Sequence, residues 1–444
     1  MNASACHRMD LHSSALNGIS FFLASRFLRI KKIKEWISFE TTRRSKKRLG
    51  ALLSGIGICV FLIQGCVTTP PPQPPEPVAQ GPTEEEKAQE EEKRKALAEL
   101  ERKKAAVLEE RRAIEQEVAV RVKSEFGKNL PDYGAVDILY ATDRLALNTI
   151  NRPLAEIGYG VDRGRLQYGL FGIGMPRDLR KDPLEIKAAM KTKSAEEFFF
   201  VLQERLAQSK RKEVFVFIHG YYTAFDEAAR RTAQLAYALG FQGVAILYSW
   251  PSQAALTGYL ADETNIEWTI PHFREFIRQV KTQSGADRIY LIAHSMGNRA
   301  AIAALRQLAA DPQRPACPIV NELVLMAPDV DADIFRDAMA EIRPIVSRVT
   351  LYSSSLDKAL LISKTVHGYQ RAGDTKPYMV LVPGVDTIDA SAADTGVTGH
   401  SYYADSRSVL FDLYNLLRHG DPPEIRFGLL PKDQSGQRYW MIQP

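Results

Sequence analysis

The chain has 444 residues, 45% of them hydrophobic and 25% charged, values that are typical of soluble proteins and allow a large core and more than one domain. The formal net charge of +5 arises from residues 1–66, which hold eleven Lys or Arg and three Asp or Glu and leave a net of −3 for the rest. A basic charge confined to this leader gives no reason to expect a nucleic-acid partner.

The first 66 residues form a basic and apolar leader. A basic stretch precedes an apolar run, Leu49–Ile63, and Gly65 stands directly before Cys66. This order resembles a bacterial lipoprotein signal, so we expect residues 1–66 to be a signal or anchor segment and Cys66 to be lipidated. The run is short for a membrane span; an uncleaved anchor and a chance apolar stretch are the alternatives. Val67 is not the Asp of an inner-membrane retention signal, which predicts an outer-membrane lipoprotein that faces the periplasm.

Two extended segments follow the leader. Residues 67–82 are rich in Pro, which predicts a semi-rigid linker. Residues 83–126 are dense in Glu, Lys, Arg and Ala and contain neither Gly nor Pro, which predicts one long charged helix. The apolar stripe of this helix is irregular, which favours a solvated spacer. Self-association or docking through a coiled coil is the alternative.

Residues 131–444 form the predicted globular domain, in which apolar runs alternate with amphipathic segments. The predicted strands are Val136–Ala141, Tyr168–Gly174, Val214–Ile218, Val244–Tyr248, Ile289–Ala293, Leu323–Met326, Val349–Tyr352 and Thr387–Ala390. The predicted helices between them include Glu196–Ala207, Phe225–Leu239, Phe273–Lys281 and Asn298–Ala310. Strands that alternate with helices predict an α/β fold with a doubly wound, mainly parallel sheet. In such sheets the active site lies at the carboxyl ends of the strands.

A serine stands at one of these strand-to-helix junctions. Ile289–Ala293 runs almost directly into Ser295, and a helical segment follows at once. Ala293 and Gly297, two residues before and after the serine, are small enough for the strained turn called a nucleophile elbow. Such a turn exposes the Ser295 hydroxyl and directs the amide of Met296, together with the partial positive charge of the helix N-terminus, to the same point. Gly is usual at position 293, and a five-residue pattern of this kind also occurs by chance.

A glycine loop follows the predicted strand Val214–Ile218 and contains His219, Gly220 and Tyr221. Gly220 allows the backbone to approach a substrate closely, and the amide of Tyr221 is placed to act as a second donor beside that of Met296. Two preset amides that point at a developing oxyanion are usually the largest electrostatic contribution to acyl transfer. We expect His219 to order this loop. The alternative interpretation is an ordinary glycine turn after a buried strand.

A serine nucleophile needs a general base, and three histidines follow Ser295 in the chain. His400 lies in a predicted loop between the last predicted strand and a helix, which is the place of the base in folds with this elbow. His367 precedes a Gly in a loop, and His419 ends a surface helix beside Arg418. His400 is therefore the predicted base, with a role in capping the next helix as its alternative.

The base in turn needs a carboxylate to orient it. Asp357 follows the predicted strand Val349–Tyr352, where the acid of such a triad lies between the serine and the histidine. The rival group is Asp329, Asp331 and Asp333, after the preceding strand. The other ligands of a calcium loop do not follow these three, so we expect them to cap a helix and line the site. Asp357 is the predicted acid.

Several of these segments together resemble a known family. They are Phe217–Tyr221, Tyr248–Pro251, Ala293–Arg299, Ala327–Asp331 and Gly399–Tyr403. As a set they resemble a bacterial branch of the α/β-hydrolase superfamily, mostly uncharacterised esterase- or lipase-like proteins, over about residues 136–415. The resemblance implies an α/β-hydrolase fold with a triad of Ser295, Asp357 and His400. Members of this branch often carry Asn at the position of Tyr222.

We therefore expect a serine hydrolase that cleaves carboxylic esters through an acyl-enzyme and is tethered to the cell envelope. Tyr222, Trp250 and Tyr402 are candidates for the walls of an acyl pocket, or for simple packing. No cluster of His and Cys in the sequence indicates a metal, and no cofactor is expected. The expected partners are a small-molecule or lipid ester and a membrane reached through Cys66. The alternatives are a non-catalytic binding or organising lipoprotein on the same fold, and a peptidase or thioesterase with the same triad.

Overall fold

The computed structural model describes residues 135–147, 158–176, 184–315, 317–393 and 406–443, with scattered residues between 91 and 116. The predicted leader and linker, residues 1–82, lie outside the described residues, and so do His400 and Tyr402. The residues described between 91 and 116 are all helical and exposed. None of the helices within the described ranges has both the length and the apolar character needed to cross a bilayer.

The described part of the domain contains eleven strands and seven α-helices. The strands are β1 (Ala135–Ala146), β2 (Tyr159–Gly174), β3 (Glu185–Lys191), β4 (Glu213–Ile218), β5 (Val244–Ser249), β6 (Arg288–His294), β7 (Val320–Met326), β8 (Val346–Ser353), β9 (Val385–Asp389), β10 (Leu429–Gln434) and β11 (Gln437–Ile442). The helices are α1 (Ala195–Gln208), α2 (Phe225–Ala238), α3 (Tyr259–Gln283), α4 (Gly297–Ala309), α5 (Ala332–Ile342), α6 (Lys358–His367) and α7 (Arg407–His419). A short 3₁₀ helix, Leu256–Gly258, precedes α3.

These strands belong to one sheet with the order β10-β11-β9-β8-β7-β6-β4-β5-β1-β2-β3. The strands from β11 to β1 in this order run parallel to one another. β2 and β10 are antiparallel to their neighbours. The prediction of a doubly wound, mainly parallel α/β sheet is therefore confirmed.

Burial on both faces explains why the central strands form at continuous apolar runs. All residues of β4 are buried. Val214 and Val216 belong to the core on one face of the sheet, whereas Phe215 and Phe217 belong to the core on the other. Side chains alternate between the faces of a strand, so a strand covered by helices on both sides needs apolar residues at every position.

β4 is the point at which the chain reverses its direction across the sheet. The chain passes from β4 to β5 on one side and then to β6 on the other side of β4. At such a switch point the connections after neighbouring strands diverge to opposite faces and leave a crevice at the carboxyl ends. The glycine loop after β4 and the turn that carries Ser295 after β6 meet at this crevice.

Helix α3 begins well before the predicted start at Phe273 and contains Pro271. Its first half has a polar buried face, formed by Asp262, Asn265 and Thr269. A helix that buries polar side chains lacks the apolar period on which the prediction relied, and an internal Pro normally ends a helix. The prediction was wrong at this boundary because these polar groups find partners elsewhere in the fold.

Thr387–Ala390 was predicted as the last strand. The structure contains this strand as β9, but two further strands follow it in the chain. A hairpin of β10 and β11 follows α7, and β11 pairs with β9. The strands β3, β10 and β11 were not predicted from the sequence. β10 has a mostly polar sequence with partial burial, so it shows no apolar run that a sequence pattern would detect.

Leu291 lies in the middle of β6 and is fully buried in the core. We expect Leu291→Ala to lower the free energy of unfolding by about 2–5 kcal/mol, because it removes buried methyl groups and leaves a cavity. Leu256→Ala is the matched control, since this leucine is 72% exposed, and it should change the free energy by less than about 1 kcal/mol. Urea unfolding followed by circular dichroism measures both. Equal losses in the two variants would contradict the core position of Leu291.

Candidate active site

Ser295 occupies the turn between β6 and α4 in a conformation that few residues adopt. Its φ is 51°, in the left-handed region that is strained for a residue with a Cβ. The amide of Ser295 donates to the carbonyl of Met326 at 2.9 Å, and its carbonyl accepts from the amide of Asp329 at 3.2 Å. β7 and the loop that follows it thus hold the strained serine at the carboxyl edge of the sheet, as in a nucleophile elbow.

Glycines bring the loop after β4 into direct contact with this turn. A Cβ on Gly220 would lie 2.7 Å from the Cβ of Ser295, closer than real Cβ atoms come. A Cβ on Gly297 would lie 2.4 Å from the carbonyl oxygen of His219. Only residues without a side chain allow the two segments to pack this closely. The glycine loop and the serine turn, far apart in sequence, are therefore neighbours.

Two backbone amides flank this contact. Within the described residues, neither the amide of Tyr221 nor that of Met296 donates a hydrogen bond. Met296 is the N-cap residue of α4, where the first amides of a helix have no partner in the helix itself. Tyr221 follows Gly220, the residue that lies against the serine. Unpaired amides beside a strained serine are the usual donors of an oxyanion hole.

A buried arginine holds the glycine loop from beneath. Arg144, at the end of β1, donates to the carbonyl of Thr223 at 2.8 Å, to the carbonyl of Ser252 at 3.1 Å and to the hydroxyl of Ser249 at 2.9 Å. Burial lowers the pKa of Arg144 to about 10 against the opposing effect of Asp143, so the guanidinium stays charged at neutral pH. The hydrogen bonds of this planar guanidinium connect the loops after β4 and β5 to β1.

His219 orders the loop as a neutral ring. Its Nδ1 lies 2.8 Å from the carbonyl of Gly220 and therefore carries the proton, while Nε2 accepts from the hydroxyl of Ser249 at 3.0 Å. The ring stacks on Trp250 with centroids 5.1 Å apart. Burial, followed by the charge of Arg144, lowers the pKa of His219 to about 3. His219 is therefore a positioning residue for this loop, in agreement with the prediction.

The candidate pocket residues differ in exposure. Trp250 has no exposed surface, and its indole donates to the carbonyl of His219 at 2.8 Å, so it packs beneath the loop. Tyr222 is 46% exposed and has a φ of 57°. The carboxylate of Asp262 accepts from the amide of Tyr222 at 3.4 Å and from the hydroxyl of Ser252 at 2.7 Å. Asp262 thus holds Tyr222 in this conformation with its ring open to solvent.

Asp357 follows β8 at the carboxyl edge and is buried. One of its carboxylate oxygens accepts from the amide of Leu360 at 3.0 Å, which makes Asp357 the N-cap of α6. A capping bond fixes the side chain, and the helix N-terminus favours its negative charge. His400, its predicted partner, and Tyr402, the third pocket candidate, lie outside the described residues.

Asp329, a rival acid, belongs to an ion-pair cluster beside the elbow. Its carboxylate lies 2.9 Å from the guanidinium of Arg299 and 3.3 Å from that of Arg371, and it accepts from the hydroxyl of Tyr259 at 2.6 Å. Burial raises the pKa of Asp329, but Arg299 and the other partners outweigh burial and hold the pKa below its ordinary value. This carboxylate is engaged with the helices α3 and α4.

Asp331 and Asp333, the other rivals, serve α5. Asp331 caps this helix and accepts from the amides of Asp333 and Ile334 at 2.9 and 3.2 Å. Asp333 pairs with Arg336 one turn later. Across the described ranges, no group of three or more His, Cys, Asp or Glu is arranged to hold a metal ion.

The two other histidines beyond the serine have different surroundings. His367 ends α6, and its ring nitrogens lie 2.6 Å from the carboxylate of Glu263 and 2.7 Å from a carbonyl of its own helix. His419 ends α7. The carbonyl of its neighbour Arg418 accepts from Arg211, which stands just before β4, so His419 lies at the amino edge of the sheet, opposite the elbow.

The residues that support the loop were not predicted from the sequence. Arg144 and Asp262 belong to no segment for which the sequence pattern predicts a function. The available signal was that Thr142-Asp143-Arg144 follows a predicted strand, at the end where functional groups collect. The partners of Arg144 follow from strand order, because β1 and β5 are neighbours only in the sheet.

A model of the family described as alpha/beta hydrolase of unknown function (DUF900) matches residues 194–419, just over half of the 444 residues. The chain belongs to this family. The match contains the glycine loop, the serine elbow and Asp357, together with His400. It establishes that the chain is an α/β-hydrolase by fold. No match was found among curated proteins.

Solved structures to which the chain is similar include the esterase of Pyrobaculum calidifontis, at 12% identity, 70% coverage of this chain, 92% coverage of that chain and a TM-score of 0.30. Est1E of Butyrivibrio proteoclasticus is similar at 12% identity, with coverages of 47% and 88% and a TM-score of 0.31. Phospholipase PlaB of Legionella pneumophila is similar at 13% identity, with coverages of 52% and 68% and a TM-score of 0.26.

The buried His219 makes stability depend on pH in a defined direction. Its pKa is about 6.5 in an unfolded chain and about 3 in the folded protein, so between these values the unfolded state binds more protons. We expect His219 to lower the free energy of unfolding by about 1.4 kcal/mol for each pH unit below about pH 6. His219→Asn should show a shallower loss in urea unfolding between about pH 6.5 and 4.5.

His419→Asn is the control for this measurement, because it removes an imidazole at an exposed position. It reports how much of the change comes from the loss of a histidine in general. If the wild type and His219→Asn lost stability in parallel over this pH range, the neutral buried state of His219 would be contradicted.

Proposed function

We propose that this protein is a serine hydrolase that cleaves carboxylic esters through an acyl-enzyme intermediate. One observation carries the proposal: Ser295 is held at a positive φ at the switch point of the sheet, against Gly220 and beside the amides of Tyr221 and Met296. A serine presented in this way next to two oxyanion donors is suited to acyl transfer. The family contributes the α/β-hydrolase fold, and the substrate class is our inference from the site.

In the proposed reaction, His400 takes the proton of the Ser295 hydroxyl as the oxygen attacks the ester carbonyl carbon. The carbonyl oxygen becomes an oxyanion, which the amides of Tyr221 and Met296 stabilise. The intermediate collapses, the alcohol leaves with the proton from His400, and the acyl group remains on Ser295. A water molecule, deprotonated by His400, then releases the carboxylic acid and restores the serine. Asp357 orients His400 and stabilises its cation.

The described geometry supports this assignment of base and acid through position and elimination. Asp357 is buried at the carboxyl end of β8, two strands from the strand that carries Ser295. His419 lies at the opposite edge of the sheet, and His367 is engaged by a carboxylate of α3. Of the three histidines after the serine, His400 is the one that we assign as the base.

We propose that the acyl part of the ester lies beside Tyr222, with Tyr402 as a second wall. Tyr222 is next to the proposed oxyanion donor Tyr221 and presents about half of its surface to solvent. An aromatic ring with a polar tip contacts an apolar chain and still tolerates water. Trp250 contributes by packing under the loop, since it has no exposed surface.

A fluorophosphonate probe tests the nucleophile, because it reacts with serines activated by a base. We expect labelling of the wild type at Ser295, its loss in Ser295→Ala, and a fall in kcat of at least about 10³-fold on a soluble short-chain ester. Asp357→Asn and His400→Ala should each lower kcat by about 10³-fold or more. Ser355→Ala is the matched control: this half-buried serine also follows a strand at the carboxyl edge, and its removal should leave labelling intact.

The outcomes of this experiment separate the alternatives. A folded chain that stays unlabelled and does not hydrolyse esters would contradict the proposal and favour a non-catalytic binding or organising protein. Labelling of Ser295 without turnover of esters would contradict the ester assignment and favour a peptidase or thioesterase on the same triad.

We also propose that the hydrolase is tethered to the cell envelope through lipidated Cys66 and faces the periplasm, as an outer-membrane lipoprotein. The apolar run before Cys66 supports this proposal. In this arrangement residues 67–82 act as a linker and residues 83–126 as a helical spacer or a site of self-association.

Processing of the precursor tests the tether. We expect Cys66→Ala to accumulate as a larger, unprocessed precursor, because the signal would lose the cysteine at which it is modified and cleaved. Cys59→Ala is the matched control, since Cys59 lies in the same leader but inside the apolar run, and it should be processed normally. Electrophoretic mobility and incorporation of a labelled fatty acid report both steps. Unchanged mobility of Cys66→Ala would count against lipidation.

A further inference from the structure

Large apolar side chains are exposed around the proposed active site. We define the apolar rim as Tyr222, Leu256, Leu260, Leu361, Ile362 and Val366. One follows β4, two follow β5 and three lie on α6 after β8, so all six are at the carboxyl edge of the sheet, where the serine elbow lies. The exposed fraction is 72% for Leu256, 70% for Leu260 and 66% for Ile362. The rim is therefore an apolar surface next to the proposed site.

Contacts between α3 and α6 join the rim into one surface. The hydroxyl of Tyr259, at the start of α3, lies 3.1 Å from the hydroxyl of Ser363 on α6. The first turn of α3 and the middle of α6 are thus side by side. The hydroxyl of Tyr221 donates to the carbonyl of Leu256, which connects the rim to the proposed oxyanion loop.

Helix α6 presents apolar side chains to solvent. Its buried residues are Leu360 and Ser363, whereas Leu361, Ile362 and Val366 are more than half exposed. Ile362 and Val366 are four residues apart and therefore lie on one face of the helix. Contiguous exposed apolar surface of this kind marks a site of interaction.

A basic groove lies at the same edge of the sheet, between β2, β3 and the start of α1. Arg163, Arg165, Lys191 and Lys193 line a cavity of about 690 Å³, and none of the described residues that line it is acidic. In the antiparallel register of β1 and β2, Arg163 lies opposite Arg144, which is near the carboxyl end of β1. The groove therefore lies at this edge of the sheet. β2 is four strands from β6, a separation of about 20 Å.

We propose that this edge of the domain docks on an anionic phospholipid surface. The apolar rim enters the boundary between head groups and acyl chains, where its side chains leave water. The basic groove faces the lipid phosphates, and each basic residue near an anionic bilayer adds to the attraction. Docking in this orientation turns the edge that carries Ser295 towards the bilayer, so the substrates are lipid esters. The choice of substrate rests on the proposed function, whereas the docking surface does not.

The charge pattern favours a membrane over a second copy of the chain. Two copies that met through this edge would bring two basic grooves towards each other, and like charges repel. An anionic bilayer matches the apolar rim and the basic groove at once. Residues 67–444 carry a net charge of −3, so the attraction is local to this edge and not a property of the whole chain.

Hydrogen exchange on the full chain tests the docking surface. We expect vesicles of phosphatidylcholine and phosphatidylglycerol to slow exchange about fivefold in α6 and in residues 254–260. Vesicles of phosphatidylcholine alone should slow it less, because the basic groove then has no anionic partner. The end of α2 at the amino edge, which carries the half-exposed Tyr237, is the internal reference and should not change. Absent protection, or equal protection at both edges, would overturn the proposal.

Variants separate the apolar rim from the basic groove. Ile362→Asp combined with Val366→Asp should abolish the protection of α6 by vesicles, and both positions are exposed, so no charge enters the core. Tyr237→Asp is the matched control and should keep that protection. Arg165→Glu should remove the preference for anionic vesicles. Protection that grows with protein concentration in the absence of vesicles would identify a second copy as the partner and overturn the lipid proposal.

Turnover distinguishes a failure of this inference from a failure of the proposed function. Suppose that the wild type hydrolyses a soluble ester, but hydrolyses vesicle phospholipid no faster than the Ile362→Asp, Val366→Asp variant does. This result would overturn the docking inference and leave the proposed hydrolase function intact. Protection of α6 by vesicles without hydrolysis of any ester would support docking and overturn the proposed function.

Discussion

The close approach of two backbone segments at the switch point determines how the site is built. Gly220 lies against Ser295, and Gly297 lies against the carbonyl of His219, so neither segment accepts a side chain at these positions. The positive φ of the serine costs on the order of 1–3 kcal/mol. It persists because β7 and the loop after it hold both the amide and the carbonyl of Ser295. The surrounding structure keeps the glycine loop and the serine turn in this contact.

Polar groups buried beneath the contact supply that support. Arg144 and Asp262 are both buried beneath the loop, where an unpaired charge would be costly. Their hydrogen bonds go to the backbone and hydroxyls of the loops after β4 and β5, so the cost of burial is offset by a connected network. His219 completes the network as a neutral ring, because burial and the nearby guanidinium disfavour its cation. A network of this kind limits the motion of the loop that carries Tyr221.

The Asp329 cluster connects the elbow with α6, the helix that carries half of the apolar rim. The amide of Asp329 binds the carbonyl of Ser295, and its carboxylate accepts from Tyr259 of α3 and from Ser363 of α6. Arg299 of α4 neutralises the carboxylate. The position of α6 is therefore set by the same residue that holds the serine turn. This places the exposed apolar side chains of α6 in a fixed relation to the proposed nucleophile.

The sequence by itself determined the fold class, the serine turn and the glycine loop, because each depends on a local pattern: apolar runs, small residues at 293 and 297, and a glycine after a buried strand. Only the tertiary structure decided that Arg144 supports the loop, that Trp250 packs beneath it and that α3 starts before its proline. Arg144 and its partners lie on strands that become neighbours only in the sheet. Local patterns specify backbone conformation, whereas contacts between distant segments follow from the order in which the strands assemble.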